Sequence, residues 1–196
     1  MDKNLKNDLL EKFKELYFFE FQRKDSINSG ANFLLALSTI YGSIIVFYFN
    51  SLPLFVKSFT SISFYFLLIA SLLFFGLSLL HFRKFLSGRD YQYISYPDEI
   101  LEYLNELSEY NKKVQIEEEA DVTEEYLDMM IDQASESAKI NFKANNNKML
   151  SYNNTVRFLL ISLLLLMITS VPFFIDKYEK ENSLQENTSI SIQKNQ

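Results

Sequence analysis

"FTSISFYFLLIASLLFFGLSLLHF", residues 59–82, is a run of 24 residues with no Lys, Arg, Asp or Glu. A helix needs about 20 predominantly apolar residues to cross the hydrocarbon of a bilayer. A core helix of a water-soluble protein is usually shorter and carries a polar stripe. Two further runs have the same character, Phe33 to Phe49 and Phe158 to Ile175, and neither contains a charged residue. The sequence therefore predicts an all-α membrane protein with three transmembrane helices. Gly and Pro are scarce, and no alternating strand pattern persists between the runs.

Working outward from the spans, the chain divides into a cytoplasmic amphipathic arm (1–30), transmembrane helix 1 (31–50), transmembrane helix 2 (54–82), a cytoplasmic helical segment (83–156), transmembrane helix 3 (157–175) and a flexible external tail (176–196). The orientation follows from the basic residues, which mark the cytoplasmic side. Six precede the first span, Lys57 alone lies between the first and second, nine lie between the second and third, and three follow the third. This predicts a multi-pass protein of the cell inner membrane, with its amino terminus cytoplasmic and its carboxyl terminus external. No cleavable signal peptide is expected, because the first thirty residues are charged and amphipathic.

In the arm, Leu5, Leu9, Phe13, Leu16 and Phe19 or Glu20 fall near helical spacing and are expected to form its apolar face. After the second span, Pro97, Asp98 and Glu99 read as a helix start, with Pro in the first turn and acids opposing the dipole. Ile100, Leu104 and Leu107 follow as an apolar stripe. The acidic knot Glu117, Glu118, Glu119 and Asp121 reads as a turn. Asp121 and Glu124 have capping-box spacing for a further helix carrying Leu127, Met130, Ile131, Ala134, Ala138 and Phe142. That helix is expected to run on toward the third span, with Asn145, Asn146 and Asn147 as the place where it bends.

Composition narrows the chemistry. Cysteine is absent and His81 is the single histidine, so neither thiol chemistry nor a Cys/His metal site can be assembled. No phosphate-binding Gly-rich loop, nucleophile elbow or zinc-protease helix is present. Glu102, Glu106 and Glu109 share a helix face and read as a solvated one. No enzyme activity and no cofactor are expected. The net charge of −6 argues against non-specific nucleic-acid binding by the whole chain. The spans lack the buried acids and bases of a proton path.

They do carry small polar residues. Ser38, Thr39, Gly42 and Ser43 form overlapping small-xxx-small pairs in the first span, Ser71, Gly76 and Ser78 recur in the second and Ser162, Thr169 and Ser170 in the third; they suit close helix packing and hydroxyl bonds across helices, within one bundle or between copies. Ser162 and Thr169 lie seven apart in the third span with Leu166 between them, and are expected to line a pore closed by an apolar constriction. Lys139, Lys143 and Lys148, with Arg83, Lys84 and Arg89, are the candidates for holding an anionic signal. The alternative for these cations is the positive-inside bias alone.

Two blocks, "LYFFEFQRKDSINSGANFLLALST" and "SESAKINFKANNNKMLSYNNTVRFLLISLLL", together with "YQYISYPDEILEYLNEL", resemble a group of small bacterial three-span membrane proteins. The pattern is an aromatic residue, Glu, two residues, two basic residues, Asp, one residue, Ile or Leu, and Asn. Here these are Phe19, Glu20, Arg23, Lys24, Asp25, Ile27 and Asn28, followed later by Ala138, Asn141, Ala144 and Asn145. Members of that group act as effectors in antiphage defence, and the blocks are similar to the channel subunit of Hailong-type systems, which is paired with a nucleotidyltransferase. The resemblance implies a homo-oligomeric ion channel regulated by a nucleotide or oligonucleotide ligand. Basic residues are fewer in "NFKANNNKML" than the pattern has, which weighs against nucleic-acid binding by that block. A membrane-anchored scaffold, docking a soluble partner through its cytoplasmic helices, is the alternative.

Overall fold

The structure, a computed structural model, describes residues 3–51, 59–113 and 122–194. Four helices occupy most of them: α1 (Lys3–Ser51), α2 (Phe59–Leu86), α3 (Pro97–Lys113) and α4 (Val122–Lys194). Among the described residues no strand forms. α1, α2 and α4 are each long and apolar enough to cross a membrane. The loop around Pro53, the acidic knot and Asp121 lie outside the described residues.

The chain forms two units. One comprises Met1–Ser29 with Ser87–Met149, the other Gly30–Leu86 with Leu150–Gln196. We call them the polar unit and the apolar unit.

The apolar unit is a three-helix bundle whose buried positions recur at alternating steps of three and four. On α2 they include Ser61, Phe64, Leu68, Ser71, Ser78 and Phe85. On α4 they include Ser151, Thr155, Leu159, Ser162, Leu166, Thr169, Phe173 and Asp176, and on α1 Leu34, Tyr41 and Tyr48. This is the heptad spacing that keeps one seam of a helix against its neighbours. Tyr41, Tyr48, Phe64, Leu68, Leu166 and Phe173 make one cluster. Small hydroxyl residues fill the remaining seam positions and let the backbones approach. The Tyr41 hydroxyl lies 3.0 Å from Ser71 Oγ, and Ser71 in turn donates to the Ser162 carbonyl at 2.8 Å. Ser78 donates to the Thr155 carbonyl at 3.0 Å and Tyr48 to the Leu166 carbonyl at 3.1 Å. Outside the seam, Ile62, Phe66, Leu73, Leu164 and Met167 are exposed. Such a coat would be a liability in water, and a bilayer tolerates it.

In the polar unit, α3 begins at Pro97, where the sequence places a helix start. The Tyr96 amide donates to Glu99 Oε2 at 3.3 Å and the Ile100 amide to the Tyr96 carbonyl at 3.1 Å. Leu10, Leu127, Met130 and Ala134 form the unit's apolar core, with Phe13, Ile94 and Ile100 against it. The buried face of α1 differs from the expected one. Lys6, Leu10, Tyr17 and Glu20 are buried, whereas Leu5, Leu16 and Phe19 are exposed. Glu20, one of the two residues expected to close that face, is buried, and the face is shifted because Lys6 is also taken inward and paired with two carboxylates. Lys6 Nζ sits 2.6 Å from Glu124 and 2.7 Å from Asp128.

α4 stays helical through Asn145–Asn147, where a bend was expected, and continues to Lys194, past the boundary at 175 where a flexible tail was expected. Pro172 lies inside it.

Candidate functional site

The residues that carry chemistry meet in the polar unit, where α1, the irregular segment 87–96 and α4 converge. Asn145 is fully buried there. Its Nδ2 donates to the Glu20 carbonyl at 2.7 Å and to Glu20 Oε2 at 2.8 Å, while its Oδ1 accepts from the Tyr91 hydroxyl at 2.8 Å. One turn earlier Asn141, also fully buried, pairs with the Gln92 backbone in both directions, at 2.9 and 3.0 Å. A buried amide that satisfies donor and acceptor on a strap without regular structure replaces the ladder bonds the strap lacks. Arg23 completes the arrangement, 3.4 Å from the Glu20 carboxylate and 2.7 Å from Asn146 Oδ1.

Three cations of this unit come from three segments. Lys24 of α1 lies 4.7 Å from the centroid of the Tyr91 ring and 5.0 Å from that of Phe21. Lys148 of α4 donates to Asn28 Oδ1 at 2.6 Å. Arg89 of the strap buries its Nε with no hydrogen-bond partner. Burial pushes the Lys148 ammonium below its ordinary value, and the charges of Lys24 and Arg89 lower it further. Burial raises the Tyr91 hydroxyl, Arg89 opposes that rise, and Glu20 and Asp25 add to it. Lys6, Arg23 and Lys113 form ion pairs within this unit, and among the described residues no carboxylate pairs with Lys24 or Arg89.

Of the six residues expected to hold an anionic signal, Arg89 and Lys148 both lie in the polar unit, where the charge of Arg89 acts on Lys148. Lys139 and Lys143 are exposed on α4. Arg83 and Lys84 are exposed in the last turn of α2, in the apolar unit, where cations suit the helix dipole. Lys24 was not singled out as a ligand residue. Its signal was its place in the 19–28 block, whose Glu20, Arg23 and Asn28 now bond to Asn145, Asn146 and Lys148.

The other expected sites lie in the apolar unit. Ser162, Leu166 and Thr169 are fully buried inside one chain, with their hydroxyls donating to Leu159 and Leu165 carbonyls of their own helix. The Ser38, Thr39, Gly42 and Ser43 face of α1 is half-buried or exposed. Its hydroxyls turn back to carbonyls of α1, and a Cβ added at Gly42 would meet no atom within 4 Å. His81 stacks on Phe158 with ring centroids 5.3 Å apart. Among the described residues no group of acids and histidines could hold a metal ion. The chain matches no known family model, and no curated protein or solved structure is similar to it.

Proposed function

We propose that this chain is a homo-oligomeric membrane effector that forms an ion-conducting pore in the bacterial inner membrane, under the control of an anionic ligand held on the cytoplasmic side. The observation that carries the reading is a division of labour. Buried hydroxyls of the apolar unit bond across its helices, while Lys24, Arg89 and Lys148 lie in the polar unit. The open small-residue face at Thr39, Gly42 and Ser43 supports association between copies, since it leaves room for a close helix approach. The likeness of the 19–28 and 138–148 blocks to antiphage effectors supports the defence setting and a nucleotide-type signal made by a partner nucleotidyltransferase. With Ser162 and Thr169 turned into the chain's own bundle, a pore between copies would draw its lining from faces exposed on the single chain. A pore lined by apolar side chains closes by excluding water.

Planar-bilayer recording on the purified protein tests this. Discrete conductance steps that change when a nucleotide mixture is added to the side facing the polar unit are expected. A protein that gives no current under either condition, and runs as a monomer in mild detergent, is a scaffold rather than a pore.

A further inference from the structure

We propose that residues 87–96 form a releasable strap, held shut on one row of α4 side chains and able to leave that row as a unit. The device stands whether or not the chain conducts.

The row is Gln133, Ser137, Asn141 and Asn145, spaced by one helical turn and therefore on one face of α4. All but one of these hold the strap. Asn145 accepts from the Tyr91 hydroxyl at 2.8 Å. Asn141 pairs with the Gln92 backbone in both directions, at 2.9 and 3.0 Å. Gln133 accepts from the Ser95 amide at 3.4 Å. Ser137 is fully buried, and its hydroxyl has no partner. Chain geometry accounts for the gap. From Gln133 to Asn141 the helix rises about 12 Å, whereas the chain from Gln92 to Ser95 reaches at most about 10–11 Å when fully extended. A strap drawn this tight runs straight between its anchors and cannot dip to a side chain as short as serine.

The strap has few bonds and carries a penalty. Among the described residues its backbone makes one bond to another backbone group, accepted by the Tyr96 carbonyl from the Ile100 amide at the start of α3. Its residues are half-buried or exposed throughout. Among the described residues the buried side-chain polar atoms without a partner are Ser137 Oγ and Arg89 Nε, the first beneath the strap and the second on it. Each gives up water when the strap closes and regains it when the strap opens, so both favour release. The amide pairs of Asn141 and Asn145, and the Tyr93 ring set 5.2 Å from Phe21, oppose it. A segment held by few buried contacts against such a penalty opens well below the free energy of global unfolding.

Hydrogen exchange on full-length protein in phosphatidylcholine nanodiscs, read at single amides by electron-transfer fragmentation, tests the device. The Gln92 and Ser95 amides both donate to α4 side chains and report the closed strap. Asn141→Ala removes the anchor of Gln92 alone, yet both amides should exchange about tenfold faster, because Ser95 follows the opening of the whole strap. Ser137→Ala and Arg89→Met each remove an unpartnered polar atom, and each should slow both amides about threefold or more. A misfolded chain exchanges faster, not slower, so these two variants decide the matter if Asn141→Ala does not fold. The proposal is overturned if folded Asn141→Ala speeds Gln92 alone, which makes the contacts independent. It is also overturned if Ser137→Ala or Arg89→Met leaves the pair unchanged or speeds it, as the loss of a bridging water would. Slowing of the α4 amides by the same factor overturns it too, since the gain then belongs to the whole unit.

Discussion

Asn145 shows how much can rest on one side chain. Its amide serves Glu20 twice and Tyr91 once, with no water access. Asn145→Ala leaves the buried Glu20 groups and the Tyr91 hydroxyl unsatisfied, a loss of about 2–3 kcal/mol, read as a lower thermal midpoint in detergent. Tyr91→Phe removes one bond and should cost about 1 kcal/mol. Asn145→Asp keeps the shape but replaces the donor with a second carboxylate facing Glu20. It should be worse than Asn145→Ala at neutral pH and should recover in acid, where a protonated carboxyl can donate. If the Asp and Ala variants melt alike at both pH values, the donor role of Nδ2 is wrong. Gly30 is a simpler case. A Cβ there would stand 2.6 Å from Tyr152 Cε2, so Gly30→Ala must displace the ring from its place beside Phe85. A cost of about 1–3 kcal/mol is expected, and Tyr152→Leu in the same chain should remove most of it.

Among the elements, Lys6 ties the start of α1 to the start of α4 through Glu124 and Asp128. The hydrogen bonds that Lys6 donates to Asp128 and to Glu124, with the charges of those carboxylates, hold its ammonium above its ordinary value of 10.5. A raised folded value gives a stabilisation that is fully present below about 10.5 and disappears as pH climbs through the higher folded value. Wild type should therefore melt above Lys6→Met up to that pH, and the two curves should converge in stronger alkali. A gap that persists unchanged would mean that Lys6 contributes through its methylenes. α1 also yields a prediction about its other end. Gly42→Ala should leave the melting of the single chain unaltered, because nothing lies within 4 Å of the new Cβ. It should shift the oligomer distribution in cross-linking if that face joins copies.

At the scale of the molecule, orientation is the claim on which the rest depends. A Cys placed at Ser135 should be shielded from an impermeant thiol reagent in intact cells, and one placed at Ser191 should react; the reverse pattern would invert the topology. The apolar helices themselves were legible in the sequence, because a long charge-free run is decided by length and transfer energy alone. The start of α3 was legible for the same kind of local reason, the Pro97–Asp98–Glu99 signal. Which face of each helix turns inward was not. Inside the spans nearly every position is apolar, so periodicity carries no information, and the seam is marked instead by hydroxyls such as Ser71, Ser78 and Thr155. In the arm, two charged residues go inward and several aromatics outward, which inverts the usual pattern. The Asn run was read for its backbone tolerance, and the structure uses its side chains. Arg89 and Lys148 stood out as cations, but that the charges of Lys24 and Arg89 act on Lys148 depends on a tertiary arrangement that no spacing encodes.

Three interhelical bonds of the apolar unit run from side-chain donors to main-chain acceptors. Ser71, Ser78 and Tyr48 supply the hydroxyls, while Ser162, Thr155 and Leu166 offer only carbonyl oxygens that any residue would provide. The two sides of each bond are therefore unequally exposed to mutation. At the accepting positions, substitutions are filtered by volume and leave the bond itself intact. At the donating positions they are filtered by chemistry as well. A saturation scan should find Thr155 and Ser162 open to any small side chain, and Ser71 and Ser78 restricted to hydroxyls. The bundle would then keep its register through extensive neutral drift on one of its three helices.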